Sequence, residues 1–423
     1  MPLSRRNMLK VTAAGLAALP LAGGQGSAGG TGAPAPAATP PIQLPPLPGD
    51  PALVPPTPAT VSHAEGKLSV VSSARLQLQA QRVMTPAGYE FVTGAAGDEW
   101  TMRENMRAFT DYRIAGRRMV GISREDIDTR TTLLGHDLAS PIIVAPMGAH
   151  GMVHIRAETD TARGAGLAGV LYTSSGASNA TLEEIARATS GPKWFQLYYN
   201  NDERVTRSLL DRAKMAGYSA IVLTADALGP GQSDLFRAAG SPMRKDITYG
   251  NHDPKRGGIG DFKNQKTALT EADIHKIRDW TGLPVIVKGV LRPDDAERFV
   301  KAGAAAIQVS NHGGRQADGM PAAVTALPAV VDAVGESVPV ILDSGIRRGN
   351  DVLRALALGA TAVAVGRPVL YGLALGGAPG VQSVMDYFRD DLKTNMLLSG
   401  VRRLKDIGRD LLDVAGENAD TVS

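Results

Sequence analysis

The chain has 423 residues, of which 43% are hydrophobic, 21% are charged and 4% are aromatic. This is enough apolar material for a large core, and the scarcity of aromatic rings argues against a surface that stacks nucleic-acid bases. Cysteine is absent, which excludes disulfides, thiolate metal ligands, iron–sulfur clusters and thiol nucleophiles. Arg5, Arg6 and Lys10 account for the net charge of +3. The rest of the chain is balanced and gives no electrostatic reason to bind nucleic acid or an anionic membrane.

The N-terminus predicts an export signal. Arg5 and Arg6 precede an apolar stretch, Val11 to Ala22, which is the twin-arginine pattern, with Met8 where Phe is commoner. The stretch is too short and too rich in Gly and Ala to span a bilayer. We therefore expect a twin-arginine signal peptide at 1–30 and a periplasmic or secreted protein. The expected domains that follow are a Pro/Ala-rich linker at 31–62, one enzyme domain at 63–415 and a tail at 416–423.

From Ser140 onward, short apolar runs alternate with Ala-rich helical segments such as 202–215, 292–301 and 351–358. Eight such runs predict a (β/α)8 barrel, with a doubly wound sheet as the alternative. Residues 60–140 are expected to form a helical preface with a hairpin near Leu134–Leu138, and residues 227–270 a long polar loop after strand four, acting as a lid. The predicted strands are Pro141–Met147, Val170–Ser174, Lys193–Tyr199, Ala220–Ala225, Pro284–Lys288, Ala305–Ser310, Val338–Leu342 and Ala362–Val365.

Reactive or small residues lie at the ends of all eight predicted strands. In a barrel of this kind, function lies on the loops after the strands. A purely structural barrel would not need hydrogen-bonding side chains at every strand end. The residues at these positions are Gly148, Ser175, Tyr198, Asp226, Lys288, His312, Asp343 and Arg367.

The segment Ser310-Asn311-His312-Gly313-Gly314-Arg315-Gln316 carries the strongest chemical information. It follows an apolar run, and the glycine pair allows a sharp turn that brings an imidazole and a guanidinium together. Histidine can move a proton near neutral pH, and arginine can hold a carboxylate through two parallel hydrogen bonds. His150 and His154 are four residues apart but flank a loop, so we expect them to be structural, and we expect no metal site.

Glycines and arginines also follow the last two strands, in the segments 343–349 and 366–368. Backbone amides and guanidinium groups after strands seven and eight form the usual phosphate site of this fold. A flavin anchored there by its phosphate would place its ring over the barrel mouth, facing His312 and Arg315.

Together these motifs resemble the FMN-dependent 2-hydroxy-acid oxidase and dehydrogenase family, which includes lactate oxidase and glycolate oxidase. The resemblance covers about residues 75–415 and includes the relatives of lactate-oxidase type. It rests on SNHGGRQ at 310–316 and on further segments in the same order: GDEWT at 97–101, APMGAHG at 145–151, FQLYY at 195–199, LTAD at 223–226, VKG at 287–289, LDSGIRRG at 342–349 and GRPVLYGLALGG at 366–377.

The resemblance implies an FMN enzyme that oxidises a small 2-hydroxy acid, with oxygen or a soluble carrier as acceptor and a homotetramer as assembly. His312 would be the base, Asp226 its partner, Tyr198 a ligand of the reacting oxygen, Lys288 a charge beside the flavin and Arg315 the carboxylate ligand. Flavin-ring contacts would come from Gly148, Ser175, Gln196 and Thr224. Contacts with ribityl and phosphate would come from Asp343, Gly345, Arg347, Gly366 and Arg367.

The pattern departs from the family on the substrate side. Phe91 stands where a carboxylate-binding tyrosine is expected, Ser233 where a second arginine is expected, and Ala177 where a bulky aromatic residue is usual. Gly148 replaces a common alanine, as in the lactate monooxygenase branch. We therefore expect a substrate larger than lactate and extra space near the flavin, with Arg237 or Tyr89 able to replace the lost ligands. The alternatives are oxidation of an amine or alcohol, an FMN-barrel isomerase, and a periplasmic binding protein.

Overall fold

A computed structural model of the chain describes residues 59–229, 231, 233–238 and 247–414. The predicted signal peptide, most of the linker and the tail lie outside these residues. The packed domain includes the last residues of the predicted linker, since Val61 is buried and Ser62 forms a β-bridge with His154. No helix in the described part is both long and apolar enough to cross a membrane.

The core of the fold is a closed barrel of eight parallel strands, in agreement with the predicted (β/α)8 architecture. The barrel closes where its last strand pairs with its first strand, with Val363 opposite Ile142. Each predicted run overlaps an observed strand, and the last predicted run has the same bounds as its strand. The strands are β1 Ile142–Met147, β2 Tyr172–Ser175, β3 Lys193–Leu197, β4 Ile221–Thr224, β5 Val285–Val290, β6 Ala306–Val309, β7 Val340–Leu342 and β8 Ala362–Val365.

Helices connect the strands on the outside of the barrel. Thr181 shows why one of them begins where it does: its hydroxyl accepts from the Glu184 amide while the Glu184 carboxylate accepts from the Thr181 amide. The last helix bends at Gly376 and Gly377, which have non-helical backbone angles. The connecting helices are Ala157–Leu167, Leu182–Ala188, Glu203–Met215, Glu271–Thr281, Pro293–Lys301, Ala323–Val334, Gly349–Ala357 and Arg367–Ser399.

The preface contains three helices, Ser73–Gln81, Pro86–Thr93 and Trp100–Arg107. A short strand, Tyr112–Ile114, then pairs antiparallel with Leu412–Val414 near the other end of the chain. This pairing anchors the preface to the last segment of the domain.

The predicted hairpin is confirmed as strands Thr131–Leu133 and His136–Leu138. Its Leu133 and Leu138 pack with the inward-facing residues of the barrel, including Trp194 and Ile286. The hairpin therefore covers the amino-terminal end of the barrel interior, which leaves the opposite end for the functional loops.

The long segment after β4 is confirmed, and its described part is more regular than a plain loop. It contains the helix Asp234–Ala238 and two short 3₁₀ turns, Gly250–His252 and Pro254–Arg256. Ser233 forms an antiparallel β-bridge with Ala96 of the preface. The preface and this loop therefore meet on one side of the barrel mouth.

Candidate active site

A cavity of about 900 Å³ lies at the carboxyl ends of the barrel strands. This volume lies near the upper end of the range for small-molecule sites, so it can hold a nucleotide-sized cofactor together with a small substrate. Four of the predicted site residues, Ser175, Gln196, Thr224 and Asp226, do not line the cavity but stand behind its wall. The predicted residues that line it are Gly148, Tyr198, Lys288, His312, Arg315, Asp343, Gly345, Arg347, Gly366 and Arg367.

Three ionisable side chains meet at the cavity wall. His312 Nδ1 lies 3.0 Å from Asp226 Oδ1 and 3.2 Å from Lys288 Nζ, and Lys288 Nζ lies 3.6 Å from Asp226 Oδ2. Burial raises the pKa of Asp226, but the charges of Lys288 and His312 outweigh this effect and lower the pKa to about 2. Asp226 is therefore an anion at any physiological pH.

The Asp226 contact determines which nitrogen of His312 can act as a base. Nδ1 cannot donate to Asp226 and accept from Lys288 at the same time. We assign its proton to the Asp226 bond because the carboxylate is the stronger acceptor, and the Lys288 ammonium then interacts mainly with Asp226. This leaves Nε2 of His312 with a free lone pair.

His312 has a backbone conformation that is rare for a residue with a side chain. Its φ is +59°, and it is followed by Gly313 at +65° and Gly314 at +75°. A non-glycine residue in this region costs about 1–3 kcal/mol, so the surrounding contacts must hold the turn. The hydroxyl of Ser344 accepts from the Gly313 amide at 3.0 Å, which links this turn to the one after β7.

Arg315 is held by the preface. Its Nη1 donates to the carbonyls of Phe91 and Gly94 at 2.8 and 2.9 Å, and its guanidinium lies 5.1 Å from the centre of the Phe91 ring. Nη2 and Nε make no hydrogen bond with any described residue, so donors are available toward the cavity. Phe91 thus contributes a ring face and a backbone carbonyl rather than a hydroxyl.

Three guanidinium groups share the cavity wall without a carboxylate partner. None of Arg315, Arg347 and Arg367 has an Asp or Glu oxygen of the described residues within 4.0 Å of its side-chain nitrogens. Burial lowers the pKa of all three, and that of Arg367 is lowered further by the other two. Grouped positive charges without a protein counter-ion are expected where an anionic ligand binds.

Arg367 has a second role that the sequence did not indicate. It donates to the carbonyls of Val92, Gly94 and Gly313 at 2.9 to 3.1 Å. It therefore joins the preface to the turn that carries His312, using three of its five N–H groups.

The residues behind the wall form a hydrogen-bonded row across β2, β3 and β4. Ser175 Oγ donates to Gln196 Oε1 at 2.9 Å, and Gln196 Nε2 donates to Thr224 Oγ1 at 2.9 Å. On the other side of the barrel, the carboxylate of Asp343 accepts from Gln308 Nε2 and from Ser344 Oγ, both at 2.6 Å. Hydrogen bonds between these side chains therefore hold them in place.

Aromatic rings that sequence reasoning missed form much of the outer wall. Phe262 contacts Tyr198 edge-on at 5.6 Å between ring centres and lies 4.1 Å from Tyr249. Phe236 contacts Phe91 edge-on at 5.8 Å. Burial raises the pKa of Tyr198, so its hydroxyl stays protonated. The missed rings lie in the long segment after β4, for which the sequence predicted a polar loop.

His150 and His154 are structural, as predicted. His150 is fully buried with Nδ1 2.9 Å from Thr161 Oγ1, and His154 Nε2 lies 3.1 Å from the carbonyl of Ala64. In the described part of the chain, no three His, Asp or Glu side chains cluster as ligands of a metal ion would.

Comparison with known proteins identifies the family. Residues 80–414 match the model of the FMN-dependent dehydrogenase family. The chain is 40% identical over 349 residues to an L-lactate oxidase of Lentilactobacillus hilgardii, covering 81% of this chain and 94% of that protein. It is 38% identical over 348 residues to the peroxisomal (S)-2-hydroxyacid oxidase GLO3 of Arabidopsis thaliana, covering 80% and 95%. The chain belongs to the FMN-dependent dehydrogenase family.

Solved structures of family members agree with this assignment. A lactate oxidase of Pediococcus acidilactici superposes with a TM-score of 0.79 at 39% identity, covering 82% of this chain and 96% of the other. A mandelate oxidase in complex with (S)-2-phenylpropionate superposes with a TM-score of 0.75 at 35% identity, covering 82% and 98%. The protein is therefore an FMN-dependent oxidoreductase acting on CH–OH donors.

The cavity fits FMN on its own chemistry. The cluster of three guanidiniums needs an anion, and the backbone at Gly345 and Gly366 lines the same cavity, where its amides could bind a phosphate. Lys288, which is 3% exposed, also lines the cavity and would supply a positive charge to a bound flavin. Most of the predicted cofactor residues line this cavity, and Ser175, Gln196 and Thr224 stand behind its wall.

The expectation that Gly148 adds space near the flavin is wrong. A Cβ at Gly148 would lie 2.6 Å from the Cβ and 2.9 Å from the carbonyl oxygen of Ala177. The space that the missing methyl group leaves is therefore filled by Ala177. A sequence cannot reveal this close approach, because it depends on how the loops after β1 and β2 fold toward each other.

Proposed function

We propose that this protein oxidises a 2-hydroxy acid to a 2-oxo acid, with His312 as the base. The observation that carries the proposal is the 3.0 Å contact between His312 Nδ1 and the buried Asp226 carboxylate. The contact engages Nδ1 and leaves Nε2 free to accept a proton, and the Asp226 charge stabilises the imidazolium that forms. One proton of the substrate CH–OH group passes to Nε2, and FMN, when bound, would supply the acceptor for the two electrons and the second hydrogen.

The other wall residues support this chemistry. Arg315 has free donors on Nη2 and Nε for the substrate carboxylate, and the protonated hydroxyl of Tyr198 can donate to the reacting oxygen. Lys288, buried beside His312, can balance negative charge that reaches the flavin. For binding the cofactor, we assign Gly148, Ser175, Gln196 and Thr224 to the ring side, and Asp343, Gly345, Arg347, Gly366 and Arg367 to the ribityl and phosphate side.

We further propose a substrate larger than lactate. Phe91 cannot hydrogen-bond a carboxylate, and Ser233, which also lines the cavity, cannot form a bidentate pair. In their place, the Phe91 and Phe236 rings offer an apolar surface next to Arg315. The similarity to a mandelate oxidase solved with benzoylformate supports an acid with an aryl-sized substituent.

The proposed electron acceptor is oxygen, with a soluble periplasmic carrier as the second candidate. The supporting facts are the oxidase relatives and the polar composition of 227–270, whose only adjacent large apolar pair is Leu235-Phe236. We also propose export by the twin-arginine route, which carries folded proteins with their cofactor already loaded.

Anaerobic mixing of the purified yellow protein with a panel of hydroxy acids tests the reaction. We expect mandelate-sized 2-hydroxy acids to bleach the flavin spectrum at concentrations where glycolate and lactate bleach it only weakly. Bleaching by amines or simple alcohols instead would contradict the hydroxy-acid proposal. Oxygen consumption on readmitting air distinguishes oxygen from a soluble carrier.

Replacing Arg5 and Arg6 together by Lys tests the export route. The double variant should accumulate in the cytoplasm as a folded, FMN-loaded enzyme, because cofactor loading precedes export. The Lys10→Arg variant, which leaves the arginine pair intact, serves as the control. Periplasmic accumulation of the double variant at the wild-type level would contradict the twin-arginine proposal.

A further inference from the structure

A buried amide pair joins the preface to the turn that carries His312. Asn105 Nδ2 donates to Asn311 Oδ1 at 2.8 Å, and Asn311 Nδ2 donates to Asn105 Oδ1 at 2.7 Å. The two residues are 206 positions apart and are 1% and 3% exposed. Asn105 lies on the helix Trp100–Arg107, so this pair crosses from the preface to the loop after β6.

Further hydrogen bonds use the rest of the Asn311 amide and a second acceptor site on Asn105. Asn311 Oδ1 accepts from the Gly314 amide at 3.2 Å, and Asn311 Nδ2 donates to the Pro321 carbonyl at 3.0 Å. Asn105 Oδ1 accepts from the Ala323 amide at 3.1 Å. The Asn311 side chain therefore closes the 311–314 turn from inside, and Asn105 holds the Asn311 amide in the orientation that this closure requires.

The same helix packs against the backbone on both sides of the pair. A Cβ at Gly314 would lie 2.8 Å from the Met102 nitrogen, and a Cβ at Gly345 would lie 2.1 Å from the Asn105 carbonyl oxygen. The turn with His312 and the turn after β7 thus rest on one helix. His312 lies in this turn with φ +59°, a conformation that relaxes unless its neighbours hold it.

We propose that Asn105 is a positioning residue for His312. It touches neither the cavity nor the reacting atoms. By holding the Asn311 amide, it keeps the 311–314 turn in the left-handed conformation that places His312 Nδ1 on Asp226. The inference rests on the proposed role of His312 as the base, and it adds a residue far from the substrate on which that role depends.

The first test is the Asn105→Leu variant, which keeps a side chain branched at Cγ and removes both hydrogen bonds with Asn311 and the one from the Ala323 amide. We expect the rate of flavin reduction at saturating substrate to fall about 10- to 100-fold with little change in KM, because small misplacements of a catalytic group have effects of this size. Bound FMN should remain. The matched control is Asn251→Leu, since Asn251 is fully buried and hydrogen-bonded to Leu182 and Ser178, outside the site.

The second test, Asn105→Asp, gives a signature that a merely structural residue would not. The introduced carboxyl, when protonated, can accept from Asn311 Nδ2 and donate to Asn311 Oδ1, whereas the ionised form presents an oxygen to that oxygen. Hydrogen bonding and burial both favour the neutral form and raise the pKa of this carboxyl. The pair is intact below that pKa and lost above it, so the ratio of variant to wild-type rate should fall as pH rises.

The outcomes separate the inference from the proposed function. Equal rates for Asn105→Leu and Asn251→Leu, or a pH-independent ratio for Asn105→Asp, would overturn the positioning role. If Asn105→Leu fails to fold, the pH-dependent ratio of Asn105→Asp decides alone. If His312→Ala reduces its flavin as fast as wild type, the base assignment fails instead. Loss of activity in His312→Ala with unaffected Asn105 variants would leave the function standing and reject only the inference.

Discussion

The two sides of the cavity are built differently. On the side where FMN is expected, functional side chains stand on or directly after barrel strands and hydrogen-bond one another, as in the row of Ser175, Gln196 and Thr224. On the substrate side, Phe91 and Ser233 belong to the preface and the long loop, which meet through the ring contact of Phe91 with Phe236 and a β-bridge between Ala96 and Ser233. Residues on the substrate side can therefore change, and with them the substrate, while the residues expected to bind FMN stay the same.

His312 lies where the two sides meet, and its removal should have the largest effect. The His312→Ala variant should reduce flavin about 10²- to 10⁴-fold more slowly with any substrate, since it lacks the general base. FMN content should be unchanged because the flavin residues lie on other strands. Stopped-flow reduction and the spectrum of the released cofactor measure both. Loss of FMN from the variant would show that His312 is needed for cofactor binding as well as for proton transfer.

Gly345 tests the cofactor side. In Gly345→Ala, the new methyl group would meet the Asn105 carbonyl at 2.1 Å, at a residue with φ +92°. We expect a loss of about 2–6 kcal/mol in the free energy of unfolding, together with loss of bound FMN. Gly282→Ala is the control, because Gly282 has φ +66° and nothing within 4 Å, and should lose only about 1 kcal/mol.

The substrate side is tested by restoring the family's ligands. Phe91→Tyr combined with Ser233→Arg should raise kcat/KM for lactate about 10- to 100-fold, because a charged hydrogen bond contributes about 1.5–3 kcal/mol. The same pair should not improve turnover of a mandelate-sized acid, which is the internal control. A micromolar KM of the wild-type enzyme for lactate would contradict the large-substrate proposal. It would indicate that Tyr89 or Arg237 replaces the lost carboxylate ligands.

The smallest effect is expected where Gly148 touches Ala177. Gly148→Ala should lower the free energy of unfolding by about 1–3 kcal/mol through overpacking, since its methyl group would lie 2.6 Å from that of Ala177. Adding Ala177→Gly should recover much of this loss in thermal unfolding. Strict additivity of the two changes would show that the residues are not coupled.

The sequence predicted the barrel, and with it the strand ends that surround the cavity, because both depend on local pattern. Apolar runs mark strands, and residues directly after them must point to the same end of a parallel barrel. The substrate side was predicted less well. Nothing local shows that the Arg315 guanidinium rests on the Phe91 ring, that Arg367 binds preface carbonyls, or that Asn105 pairs with Asn311. These contacts join residues more than 200 positions apart, so only the folded chain reveals them.

The pairing of Tyr112–Ile114 with Leu412–Val414 has a consequence for the order in which the enzyme can mature. During synthesis the preface emerges from the ribosome first, yet its partner strand is among the last parts of the domain to be made. The barrel closes only when β8 reaches β1, and the preface is fastened only after that. The active site is therefore complete only when the segment 412–414 has been made and has paired with the preface. Such timing suits an export route that accepts only completed, folded cargo.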